Sequence, residues 1–168
     1  MHHFSILMTL AAAVCSVAAV PTGDNSDAVW AGVYNLTDTS IIEDSEAALE
    51  KRDECGAGNI LVSKAGVNAL ISDLQNNNPD GLTYLPHGSG TNWAKGDVRV
   101  CVDNTYVFEN THVKRWEVGW AMSYIRDMCC STSGNPQCEG GRATAHGDSG
   151  LPIQVYFGSS SKPCLGLW

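Results

Sequence analysis

The sequence predicts an α+β domain tied by disulfides: an antiparallel sheet of four to five strands with two helices packed on it, an α/β sandwich. Three observations predict it. Six cysteines, Cys55, Cys101, Cys129, Cys130, Cys138 and Cys164, crowd into residues 53–168 of a chain that opens like a secreted one, and an even set in that setting is a disulfide framework. Two stretches repeat apolar residues at helical spacing, each flanked by short runs of strand-forming residues. The 116 residues from 53 to 168 suffice for one domain with one core, burying roughly 65% of the surface of the unfolded chain.

Residues 1–19 read as a signal peptide. An apolar run from Ile6 to Val14 leads to Val17-Ala18-Ala19, with small residues placed for a cut after Ala19, although His2-His3 stand where a basic start is usual. That run is too short to span a membrane, so the product is expected to be secreted and unanchored. Residues 20–52 hold seven acidic and two basic residues and carry the acceptor sequon Asn35-Leu36-Thr37. Ile41 to Leu49 has the pattern of a short amphipathic helix. The segment ends at Lys51-Arg52, where composition changes and the cysteines begin, so it reads as a propeptide cut after Arg52. The second dibasic pair, Lys114-Arg115, falls inside a predicted helix that would shield it.

After the cut, Ser63 is placed to cap a helix from Lys64 to about Gln75, with Val67, Leu70, Ile71 and Leu74 on its apolar side. The run Asn76 to Gly81 stops it. Leu82 to Leu85 reads as a short strand, and His87 to Lys95 as a loop carrying Trp93. Asp97 to Val102 alternates, with Val98, Val100 and Val102 on one face and Arg99 and Cys101 on the other, and is expected to turn at Asp103-Asn104 and return through Phe108. Asn110 or Thr111 would cap a second helix to about Cys129, whose stripe Val113, Trp116, Trp120, Tyr124 and Met128 is expected to face the core. Arg142 to His146 and Leu151 to Phe157 give two more strands. Adjacent Cys129 and Cys130 are expected to take separate partners, since a bridge between neighbours closes a strained ring; fifteen connectivities remain open.

The helix around Ala69-Leu70-Ile71-Ser72-Asp73, the strand Val98-Arg99-Val100-Cys101, the helix end Ile125-Arg126-Asp127-Met128-Cys129-Cys130 and the closing Gly150 to Phe157 with its late cysteine resemble the fungal killer toxins of the KP-four class and killer-toxin-like secreted effectors. The resemblance implies an antiparallel sheet with helices on one side, and action by binding a target-cell surface protein or channel without enzymatic turnover; the chain is expected to be a monomer. It also implies a role for a base near the central strand, which falls on Arg99 with Lys95 nearby. Fewer cysteines and a mildly acidic mature chain set this sequence apart from the founding toxin. A host-directed effector of the necrosis-inducing kind, with a start like Glu54-Cys55-Gly56, or a surface-binding module, is the alternative.

Charge and motifs exclude other classes. Residues 53–168 carry eleven acids and eight bases, with no basic cluster for nucleic acid or a membrane surface. Gly147-Asp148-Ser149-Gly150 has the look of a serine-protease nucleophile site, the basis of a remote small-hydrolase reading, but His146 lies three residues from Ser149, and the segment reads as a turn between strands. Cys129, Cys130, Cys138 and His146 match no common zinc spacing, so neither metal nor cofactor is expected. Trp93, in its polar loop, is the aromatic residue expected to contact a target, alongside Arg99 and Lys95.

Overall fold

The computed structural model describes residues 27–36, 53–56, 61–130 and 136–166; the signal segment, the amphipathic stretch Ile41–Leu49 and the Lys51-Arg52 pair lie outside them. Within these residues ten strands and two α-helices follow in chain order. They are β1 (Val29–Asn35), β2 (Glu54–Cys55), β3 (Leu61–Ser63), α1 (Lys64–Asn76), β4 (Leu82–Leu85), β5 (Ser89–Lys95), β6 (Val98–Asn104), β7 (Thr111–Lys114), α2 (Arg115–Cys129), β8 (Gln137–Glu139), β9 (Gly141–His146) and β10 (Pro152–Ser159). The main sheet has six strands in the order β1-β5-β6-β10-β9-β2, and β3-β8 and β4-β7 form two small ladders. Every pairing is antiparallel. Among the described residues no helix is long and apolar enough to cross a membrane.

The α+β architecture stapled by sulfur is as expected, with more strands. The extra ones are short or lie where sequence reading saw loop or leader. Ser89–Lys95 is a fully paired strand, because Gly96 adopts φ +59° and lets a two-residue turn join Lys95 to Val98. The expected turn at Asp103-Asn104 is therefore corrected. Asn104 is buried and works as an internal bracket, its amide donating to the carbonyls of Leu85, Pro86 and Glu109 while its Oδ1 accepts from Tyr106 N–H. A side chain so occupied extends β6 rather than reversing it.

α1 begins as expected, with Ser63 Oγ accepting from Gly66 N–H at 3.0 Å. α2 starts later than expected, at Arg115, because the β-branched Thr111 and Val113 pair with Leu85 and Thr83 of β4. Lys114 accordingly ends a strand. Both helices pack on one face of the sheet. Val67, Leu70 and Leu74 of α1 and Val118, Ala121, Met122 and Ile125 of α2 meet Val98, Val100, Val102, Ile153, Val155 and Phe157 in one core. The far face of the sheet holds a smaller cluster of Cys101, Tyr156 and Cys164 with Tyr34 against it.

Three bridges join Cys55–Cys129, Cys101–Cys164 and Cys130–Cys138. The adjacent pair at the end of α2 does reach two different partners, one on β2 and one on β8.

Candidate functional site

The three residues expected to meet a target are drawn into the structure. Trp93 is 1% exposed: it sits on β5 opposite Val100 of β6, in the core beneath the helices. Its role as a loop contact is corrected, for polar neighbours in sequence became strand neighbours in space. Lys95 pairs through Nζ with Asp73 at 3.3 Å, and Arg115 reaches the other oxygen of the same carboxylate at 2.7 Å. Asp73 is almost wholly buried, so this triad clamps β5 to both helices. Arg99 lies on the far face of the sheet, half-buried, with Nε buried and without a hydrogen-bond partner among the described residues.

The aromatic stripe of α2 is turned the other way from expectation. Trp116, Trp120, Tyr124 and Met128 are 40–47% exposed. The helix carries two apolar stripes, and small residues decide between them. Gly119 and Ala121 let α2 approach α1 closely; a Cβ on Gly119 would meet Gln75 Cγ at 2.7 Å and Leu74 Cβ at 3.2 Å. Bulky indoles could not take that side. They are left outside in a row one turn apart, with Trp120 and Tyr124 rings stacked at 6.2 Å between centroids. The rim mixes both signs of charge: Lys114 and Glu117 at one end, Arg126 and Asp127 at the other. At the latter end Asp53 accepts from the Tyr124 hydroxyl, which holds the phenol above its ordinary pKa, and also accepts from Thr144 N–H. The first residue after the dibasic pair is thus anchored beside the stripe. Periodicity alone could not choose the buried side; the placement of Gly119 was the signal.

On the far face of the sheet, Asp103 takes Tyr34 OH at 2.5 Å on one oxygen and Tyr156 OH at 2.8 Å on the other. Desolvation beneath the two rings pushes its carboxyl up to about 6, against the two hydroxyls that pull it down. Both phenols are raised, chiefly by burial and next by the facing carboxylate. Tyr34 belongs to the segment assigned to the propeptide. That assignment captured its acidity but missed that Val29–Asn35 completes the sheet. Asn35, the sequon residue, is exposed at the end of this strand.

The Gly147–Gly150 segment is a turn docked on β7. Ser149 Oγ donates to Thr111 Oγ1 at 2.7 Å, and Asp148 accepts from His112 N–H at 2.8 Å, which lowers its pKa. His112 Nδ1 lies 3.1 Å from Asp148, so the aspartate meets His112, a different histidine from the His146 weighed beside Ser149, while the serine is turned to Thr111. Cys129, Cys130 and Cys138, imagined above as zinc ligands, are taken up in bridges.

No protein-family model, curated protein or solved structure matches the chain.

Proposed function

We propose that this chain is a secreted, disulfide-stapled protein of killer-toxin-like action, which binds a protein on the surface of a target cell without turnover. Its contact surface is the outer stripe of α2. The observation that carries the reading is the row Trp116, Trp120, Tyr124 and Met128, left in solvent on the helix whose other side builds the core. Rigid aromatic side chains and methionine are the residue types enriched at the centres of protein interfaces. The mixed charges at the rim suit a protein partner and supply no basic field for an anionic lipid surface. Three bridges hold the helix end and the sheet as one body, so the row is presented preorganised.

The test is binding of purified protein to fungal cells and to plant tissue in parallel, with Trp116→Ala/Trp120→Ala as the control. Loss of tenfold or more in binding to one of them, with the circular dichroism spectrum unchanged, supports the reading and says which cell is the target. Undiminished binding by the double variant overturns it. Arg99→Glu measured beside it decides whether the basic position implied by the toxin resemblance contributes as well.

A further inference from the structure

We propose that the edge of β5 is an acceptor site for an extended peptide strand, filled in the uncut chain by the chain's own β1 and exchangeable once the chain is severed after Arg52. The proposal rests on the reading of Lys51-Arg52 as a cut.

β1 lies before that pair, while the strand it pairs with and the side chains that bond Trp30 and Tyr34 lie after it. Val29, Trp30, Val33, Tyr34 and Asn35 stand opposite Ala94, Trp93, Thr91, Gly90 and Ser89. Leu36 N–H adds a bond to Gly88 O at 2.8 Å, and Trp30 Nε1 donates to Thr91 Oγ1 at 2.8 Å. No sulfur secures this pairing: the three bridges all join residues between 55 and 164. Breaking the backbone after Arg52 would leave β1 attached by noncovalent bonds alone.

The seat that receives β1 is built by residues that stay behind. Val29, Trp30 and Val33 are largely exposed, and Tyr34 is the large side chain of the strand that settles into the sheet's far face. Gly90 makes room for it, since a Cβ there would lie 2.4 Å from Tyr34 Cζ and would strike the Asp103 carboxylate as well. Asp103 supplies the acceptor, and Tyr156 holds that carboxylate from its other side. These groups sit on β5, β6 and β10, three paired strands in the middle of the sheet. With β1 gone, they form an open edge with a phenol-sized recess whose floor is glycine and whose end is a carboxylate. The ligand class is therefore an extended peptide that pairs antiparallel with β5 and places a tyrosine over Gly90, the strand-addition mode of recognition. A phenylalanine there would fill the recess but leave the carboxylate oxygen unpaired.

The experiment uses the secreted chain, cut in vitro after Arg52 by a protease that reads paired bases. Native mass spectrometry is expected to show the fragment ending at Arg52 still riding with the domain. A fluorescent peptide of residues 27–36 is expected to displace it from the cut chain and to leave the uncut chain unlabelled. The same peptide with Tyr34→Phe should compete roughly tenfold more weakly. Gly90→Ala, introduced in the full chain and cut in the same way, should abolish uptake while leaving all three bridges formed. Absence of both retained fragment and peptide uptake overturns the acceptor site, and so does equal uptake of the Tyr and Phe peptides. If the protease leaves Lys51-Arg52 intact, the processing reading fails by itself. A chain given another protease's recognition sequence between residues 38 and 50 then tests the acceptor edge separately, with the same two overturning results.

Discussion

The two edges of the main sheet are held in opposite ways. At one, β2 contributes two residues, yet Cys55 is bridged to Cys129 on α2 and Glu54 is ion-paired with Arg142 of β9. At the other, β1 contributes seven residues, a run of backbone pairing and two aromatic hydrogen bonds, but no covalent tie. Ladder length alone would rank β1 as the firmer edge. What makes an edge permanent here is the cross-link, and the longer strand is the one a single backbone break would put at risk. The stapled edge belongs to the rigid body, whereas the unstapled one is fitted to it.

The sharpest way to break this contrast is to loosen β5 itself. Asp73→Ala would leave Lys95 and Arg115 as buried charges without their carboxylate, a change expected to cost about 3–5 kcal/mol in urea unfolding. A loss under 1 kcal/mol would show that β5 is not anchored this way and that the two edges differ less than described. Next, Cys55→Ser with Cys129→Ser opens a loop spanning 74 residues and is expected to cost roughly 4 kcal/mol, by the chain-entropy argument. Should that double variant unfold at the same urea concentration as the parent, the sulfur would not be what distinguishes β2.

A smaller effect sharpens the account of the β1 side. Asp103 holds its proton to about pH 6 in the folded chain, against 3.8 as its ordinary value. Between those values the unfolded chain gives up the proton first, so stability falls as pH rises from about 4 to about 6 and the full cost is present above that. The Asp103 contribution is on the order of 3 kcal/mol. Urea midpoints measured across this range should show the slope in the parent and lose it in Asp103→Asn; an identical slope in both would remove the carboxylate from the account. The smallest expected effect is on neither edge. Trp120→Ala should change stability by under about 1 kcal/mol, because its ring is half in solvent, and a thermal melt shifted by more than a few degrees would place it in the core after all.

The comparison also shows what could be read from residues alone. Ser63 with the 67-70-71-74 pattern announced α1 correctly, since cap and periodicity agree there. The three bridges and the separate partners of Cys129 and Cys130 followed from composition and ring strain, while their pairing did not, because connectivity is a property of the fold. α2 was found but turned the wrong way: both of its stripes have helical spacing, and only contact with Leu74 and Gln75 makes Gly119 face inward. Trp93 misled because glycine, threonine and asparagine signal a loop in isolation. In the sheet the same small polar residues tolerate two neighbouring strands, and the hydroxyls of Ser89 and Thr91 are satisfied there. β1 was hidden in an acidic stretch whose few apolar residues needed a distant partner to become a strand.

Burying Arg115 has one further consequence, for timing. An enzyme that severs chains at doubled bases finds two addresses in this polypeptide, and letter by letter they are alike. What protects the second is architecture: Asp73 and the carbonyl of Asn77 already hold that guanidinium when α2 has docked. A chain that reached such an enzyme too early would be cut in two at the start of its principal helix. If the chain is trimmed after Arg52, the order is therefore fixed, with packing finished before trimming begins.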